Sequence, residues 1–248
     1  MRNIIKIDKL KKIYHTKNSE TLAIKDFSIE INEGDFIAIV GPSGCGKSTI
    51  LSILCGLEKK SSGEINFSNN IEIGYMLQQD SLFEWRNILD NCLLGLEIKK
   101  KLNNNTKKQV LDMLNNYGLK DFIYSYPNNL SGGMRQRVAL IRTLATNPNL
   151  LLLDEPFSAL DYQSRITISD DIYKILKLKK KTMILVTHDI AEAISMCDKV
   201  IVMSNRPSTI KSIYNIELEN KSTPLNNRKD KKFFYYYDMI WKDIDFHV

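Results

Sequence analysis

Long apolar runs are missing from this sequence. Nothing approaches the ~18 consecutive apolar residues of a membrane-spanning helix, so work at a membrane would need spans from another chain. Cysteine is scarce. Cys45, Cys55, Cys92 and Cys197 are far apart and form no CxxC pair, which argues against a zinc site or disulfide framework and for reduced cytosolic thiols. The opening MRNIIKIDKLKKIYHTK lacks the apolar core of a signal peptide; its alternation of apolar and charged residues reads as a strand. A strong charge bias is also absent: 35 Lys+Arg against 29 Asp+Glu leave +6. The lysine runs at Lys99-Lys100-Lys101, Lys179-Lys180-Lys181 and Lys231-Lys232 read as solvated loops, and no nucleic-acid partner is expected. No internal repeat is apparent.

What remains is an ordinary globular composition, 43% hydrophobic and 26% charged over 248 residues. That length suits one core, or one core with a smaller inserted lobe. Three short apolar runs, Phe36 to Val40, Leu150 to Leu153 and Met183 to Val186, suit strands of a parallel sheet buried on both faces. Each is followed at once by residues suited to chemistry: Gly41, Asp154-Glu155 and Thr187-His188. Ligands of open α/β sheets sit beyond the carboxyl ends of the strands, so the three groups are expected to converge.

Helical periodicity appears between these runs. Ile50, Ile53, Leu54 and Leu57 predict one helix covering the sheet, and Ile168, Ile172, Ile175 and Leu176 predict another. Residues from about 86 to 147 show helical patterns and no strand; Pro127 and Asn128-Asn129 precede the last helix and Asn147-Pro148 closes it. A tail is expected from about 207 to 248, with Phe233, Tyr237, Ile240 and Ile244 on one packed helical face.

The segment Gly41-Pro42-Ser43-Gly44-Cys45-Gly46-Lys47-Ser48-Thr49 lies between a buried strand and an amphipathic helix, the context a phosphate-binding loop requires. Its glycines let successive backbone N–H groups turn inward, and the helix adds its positive end. Lys47 is expected to pair with the β- and γ-phosphates of ATP, and the Ser48 hydroxyl to ligate Mg²⁺. Asp154 is placed to hold the hydrated metal and Glu155 to polarise the attacking water. His188, at the edge of the third run, is assigned to the γ-phosphate and that water. Leu130-Ser131-Gly132-Gly133-Met134-Arg135-Gln136-Arg137 adds a second anion-binding helix start, with Ser131, Gly132 and Gly133 as its donors.

With that last segment the whole chain strongly resembles the ATP-binding-cassette family, whose signature is LSGGQ or a close variant. The resemblance implies an α/β P-loop NTPase fold in a single domain, 1–248. Its parts would be a parallel-sheet core, an N-terminal antiparallel β subdomain and an inserted α-helical subdomain. It implies a head-to-tail homodimer in which Ser131, Gly132 and Gly133 close over the γ-phosphate held by the other protomer. Tyr14 then resembles the aromatic residue that stacks on adenine, with core packing as its other reading. Gln78 resembles the glutamine that touches Mg²⁺ and water and reports to the membrane subunit, Gln79 being the alternative register. Ser158-Ala159-Leu160-Asp161 resembles the loop that links the two active sites.

Finer features, including Asp80 to Trp85 and Thr187 to Ala193, are similar to those of nitrate, sulfonate and taurine importer ATPases. Two positions depart: Glu84 stands where proline commonly precedes Trp85, and Leu77 where phenylalanine commonly precedes the glutamine. The resemblance implies a peripheral ATPase at the cytoplasmic face of the membrane, coupled to permease subunits and served by an extracytoplasmic solute-binding protein. Leu82, Phe83 and Trp85 are expected close together, as a groove for the permease or as packing. The alternative is a soluble cassette ATPase acting on nucleic acid or the ribosome. Such proteins usually resemble two cassettes in one chain or carry long coiled coils, and this sequence has neither. A P-loop kinase would have no use for Ser131-Gly132-Gly133.

Overall fold

The computed structural model describes residues 2–17 and 19–244. In chain order the strands are β1 (Asn3–His15), β2 (Glu20–Asn32), β3 (Phe36–Val40), β4 (Ser62–Phe67), β5 (Ile73–Met76), β6 (Leu150–Asp154), β7 (Thr182–Val186), β8 (Lys199–Met203) and β9 (Ser208–Asn215). The helices are α1 (Lys47–Leu54), α2 (Ile88–Ile98), α3 (Asn104–Asn116), α4 (Gly132–Ala145), α5 (Tyr162–Leu178), α6 (Ile190–Met196), α7 (Pro224–Asn227) and α8 (Phe233–Asp243).

The strands form one sheet in the order β4-β1-β2-β9-β8-β3-β7-β6-β5. Five of them, β8-β3-β7-β6-β5, run parallel, whereas β1 pairs antiparallel with both β2 and β4. The parallel strands are short and apolar because both faces are covered. Phe36, Ala38 and Val40 of β3 belong to a core shared with Leu151, Leu153, Met183 and Leu185 beneath α2 to α6. Ile37 and Ile39, with Leu150, Leu152, Ile184 and Val186, point the other way, onto α1 and the antiparallel strands. A residue-by-residue alternation thus feeds two cores from one strand.

Three expectations change here. Helix α1 stops at Leu54, because the chain turns at Cys55 and at Gly56 with φ +81°; Leu57 lies past the helix, 68% exposed. The segment expected as a tail does not begin outside the sheet. Its first stretch, β9, runs antiparallel to β8 and parallel to β2, joining the two halves. Finally, Leu82 is buried in the core while Trp85 is exposed, so Leu82, Phe83 and Trp85 do not share one surface. The Phe83 and Trp85 rings do meet, with centroids 4.8 Å apart.

Residues from 77 to 149 contain α2, α3, α4 and short 3₁₀ turns at 120–122 and 127–129. Each helix is started by its own side chain: Asn87 accepts from Asp90 N, Asn103 from Asn105 N and Thr106 N, and Ser131 from Met134 N. Helix α8 buries Phe233 and Ile240 against the main core, as does Ile244 just past its end, with Tyr237 partly covered. No helix among the described residues is long and apolar enough to cross a membrane.

Candidate functional site

The loop between β3 and α1 folds back over the sheet edge because its glycines adopt backbone angles other residues avoid. Gly41 has φ +151°, and a Cβ there would stand 2.8 Å from Met203 O. Gly46, at φ +105°, is the residue from which α1 starts. The loop borders a cavity of about 510 Å³ with Gly41, Ser43, Gly44, Gly46, Lys47, Ser48 and Thr49 on one side. Gln78, Glu155 and His188 border it from the ends of three other segments, and Ile244 closes it from the end of α8.

Lys47 is buried, its ammonium held by Gly41 O at 2.8 Å and Pro42 O at 2.9 Å, with Cys45 Sγ at 3.9 Å. These contacts fix a cation at the edge of the cavity. Ser48 Oγ donates to Asp154 Oδ1 at 3.1 Å. Burial raises the Asp154 carboxyl above its ordinary value, opposed by the Ser48 hydrogen bond. The Tyr75 hydroxyl lies 3.5 Å from the other Asp154 oxygen.

Glu155 continues from β6 with its N–H on Val186 O at 2.9 Å, then turns to φ +47°. That left-handed geometry is costly for a non-glycine residue and points to a functional constraint. It delivers the carboxylate between two partners: Gln78 Nε2 donates to Oε2 at 3.3 Å, and His188 Nδ1 lies 3.5 Å from Oε1. Gln78 therefore occupies the register facing the cavity, and Gln79 lines only a neighbouring depression.

Not every sequence-predicted residue lines this cavity. Tyr14 is adjacent, its hydroxyl 3.2 Å from Thr49 Oγ1 and its ring 37% exposed, with Lys12 Nζ 4.6 Å from the centroid. Ser131, Gly132 and Gly133 open α4 elsewhere, and Asp161 caps α5 by accepting from Ser164 N at 3.0 Å. The two latter segments touch: a Cβ on Gly133 would lie 3.1 Å from Ala159 O, so glycine lets α4 start against the loop at 158–161.

Sequence reasoning missed the side chains that tie these pieces together. Gln136 is buried; its amide donates to Glu155 O at 2.9 Å and Ser158 Oγ at 3.2 Å and accepts from Ala159 N at 2.9 Å. Arg135 bonds Asp80 at 2.9 and 3.2 Å and Glu84 at 3.1 Å, and Arg142 donates to Asp80 O and Ser81 O. Burial pushes the Asp80 carboxyl up, but the Arg135 hydrogen bonds and charge outweigh it and hold it below its ordinary value. Behind His188, the buried Glu192 accepts from Thr187 Oγ1 at 2.7 Å, while Arg165 reaches Asp189 at 3.2 Å and Glu192 at 3.6 Å. The only sequence cue to these was adjacency to the motifs, since apart from Thr187–Glu192, five residues apart, the contacts span 19 to 62 residues.

A glycine loop on a parallel sheet edge, a serine-aspartate pair beside it and a glutamate held between glutamine and histidine define a P-loop nucleotide hydrolase. The ABC transporter family model matches residues 24–158. The chain is 44% identical to the ABC transporter ATP-binding protein YtlC of Bacillus subtilis, covering 98% of this chain and 96% of that one. It is 38% identical to the taurine import ATP-binding protein TauB of Pelagibacter ubique, over 90% of this chain and 87% of that one. In three dimensions it resembles a dimeric ATP-binding cassette in a post-hydrolysis state bound to ADP and Pi. The TM-score is 0.79 and the identity 30%, covering 86% of this chain and 99% of that one. The chain belongs to the ABC transporter family and is its ATP-binding, ATP-hydrolysing subunit.

Proposed function

We propose that this ATPase is the peripheral energy-coupling subunit of an importer at the cytoplasmic face of the membrane. It acts as a head-to-tail homodimer on separate permease subunits, with an extracytoplasmic solute-binding protein in the same system. The taurine-import relative supports the inward direction and an anionic solute of the nitrate, sulfonate or taurine kind. The solved cassette dimer supports the homodimer. No relative or structure reported above supports action on nucleic acid or the ribosome.

The observation that carries the hydrolytic reading is the placement of Glu155 between Gln78 and His188 in the cavity of the phosphate loop. Lys47 and the loop N–H groups bind the β- and γ-phosphates, and the Glu155 carboxylate takes the proton of the attacking water as it becomes nucleophilic. Gln78 and His188 fix the carboxylate and face the γ-phosphate. Ser48 and Asp154 offer the hard oxygen donors that suit Mg²⁺, which would supply charge neutralisation of the phosphates. Ser131, Gly132 and Gly133 bind the nucleotide of the opposite protomer, and Asp161 and Ser158 carry the contact between sites. Tyr14 offers its ring to adenine.

The permease contact is assigned to the exposed Trp85 and the half-buried Phe83 ring it meets. Because Arg135 joins Asp80 and Glu84 to α4, motion of the signature helix is transmitted to that pair. Purification of the complex from membranes and uptake in vesicles test this reading. Phe83→Asp and Trp85→Asp should weaken assembly and uptake. Intact assembly and uptake in both would defeat the docking site, and ATP-driven export would defeat the importer.

A further inference from the structure

A second cavity, of about 160 Å³, shares no lining residue with the cavity of the phosphate loop and has a different chemistry. Met113 of α3, Leu144 of α4, Pro148, Leu151 of β6 and Ile175 and Leu176 of α5 give it apolar walls. Lys179 and Lys181 stand at its rim, in the turn after α5. The same two lysines border a polar depression with Arg2, Lys180, Asn149 and one carboxylate, Glu33, so the rim of the slot adjoins a surface of net positive charge.

Among the described residues neither lysine has an ion-pair partner; the nearby Glu72 is already bonded by Lys99 at 3.0 Å and Lys101 at 2.7 Å. Lys181 Nζ is steered by Asn147 O at 3.1 Å. Burial first and the charge of Lys179 second push the Lys181 ammonium below its ordinary value against the weaker opposing pull of Glu72, a cost that an anion at the rim would relieve further. A dry apolar cavity of roughly 150 Å³ is large enough to take a benzene-sized body.

We propose that this slot binds a soluble short-chain amphiphilic anion, its hydrocarbon tail between α3, α4 and α5 and its head group on Lys179 and Lys181. The cavity's size suits a short tail of about six carbons. Because the slot lies between the helix that carries the signature and the helix that follows Asp161, an occupant selects the relative position of the two that leaves it open.

The test is calorimetric titration of the full chain at saturating Mg·ADP, which keeps anions out of the phosphate loop, using heptanoate, 1-heptanol and acetate. Heptanoate should bind one to one, about 10-fold more tightly than 1-heptanol, and acetate should not bind. Lys179→Glu, at an exposed position, should weaken heptanoate about 10-fold and leave 1-heptanol unchanged. Ile175→Trp should fill the slot and abolish binding of both. Absence of heptanoate binding, equal affinity for heptanoate and 1-heptanol, or wild-type heptanoate affinity in Lys179→Glu would each overturn the proposal.

Discussion

The Ser48 hydroxyl donates to the Asp154 carboxylate across 3.1 Å, joining the first turn of α1 to the end of β6 over 106 residues of sequence. That hydrogen bond is the largest of the effects that oppose the burial of Asp154, ahead of the more distant Tyr75 hydroxyl and the Lys47 charge. Ser48→Ala and Asp154→Asn are therefore expected to lower Mg²⁺-dependent hydrolysis by about 10²-fold or more. Both should move the Mg²⁺ titration of activity to higher concentration, and chelation should abolish activity in the wild type. An unchanged Mg²⁺ requirement in Ser48→Ala would remove that hydroxyl from the metal site.

Glu155→Gln should keep nucleotide binding and slow hydrolysis by ~10²–10⁴-fold, the usual worth of a general base. Its left-handed backbone gives a second, independent expectation. Glu155→Gly should be as inactive but at least as resistant to thermal unfolding, because glycine escapes the roughly 1–2 kcal/mol penalty of that conformation. Activity within threefold of wild type in Glu155→Gln would displace Glu155 from the mechanism.

Glu155→Gln is also the reagent for the dimer. Mg·ATP should drive it from monomer to dimer by light scattering at micromolar concentration, and adding Ser131→Arg should block the change. A persistent monomer, or a dimer indifferent to Ser131→Arg, contradicts the shared site.

Gln136 holds the Glu155 carbonyl and the Ala159 N–H with one buried amide. Gln136→Leu strands the Ala159 N–H and removes one donor from the Glu155 carbonyl, which Ser158 still bonds, at about 1–3 kcal/mol. Displacing Glu155 by even an ångström lowers kcat by up to about 10²-fold, with less effect on KM. Denaturant titration and steady-state kinetics check the two halves separately; a stable variant with wild-type kcat refutes the linkage.

Burial first, and Asp189 second, push the Glu192 carboxyl up to about 7 from 4.5, against the pull of Thr187 and Arg165. Between those values the folded chain holds a proton that the unfolded chain releases. This contribution to stability is thus fullest below about 4.5 and falls as pH rises, levelling off above about 7. A displacement of that size corresponds to about 3 kcal/mol. The stability difference between wild type and Glu192→Gln should accordingly shift against the wild type from pH 5 to pH 8. A pH-independent difference in denaturant titrations would show that Glu192 does not titrate in this range.

Much of the site was legible because its parts are local. A glycine loop between a buried strand and a helix, a carboxylate pair after four leucines and a histidine after a third strand are each set by neighbouring residues and by backbone geometry. The overreach at Leu57 has the same root. Periodicity continues through Cys55 and Gly56, but the chain leaves the helix there and the leucine faces solvent.

The sequence by itself determined the fold class, the strands β3, β6 and β7, the phosphate loop and the signature, because unbroken apolar runs and short motifs are local signals that need no distant partner. Only the tertiary structure decided that β9 stitches the two halves of the sheet, that Leu82 goes inward while Trp85 stays out, and that Gln136 and Arg135 bind the motifs to one another. A hydrogen bond from α4 to Glu155, or an ion pair from α4 to Asp80, spans 19 and 55 residues. Nothing local specifies such a contact; it exists because the packed core brings the two groups within reach and makes leaving them unpaired costly.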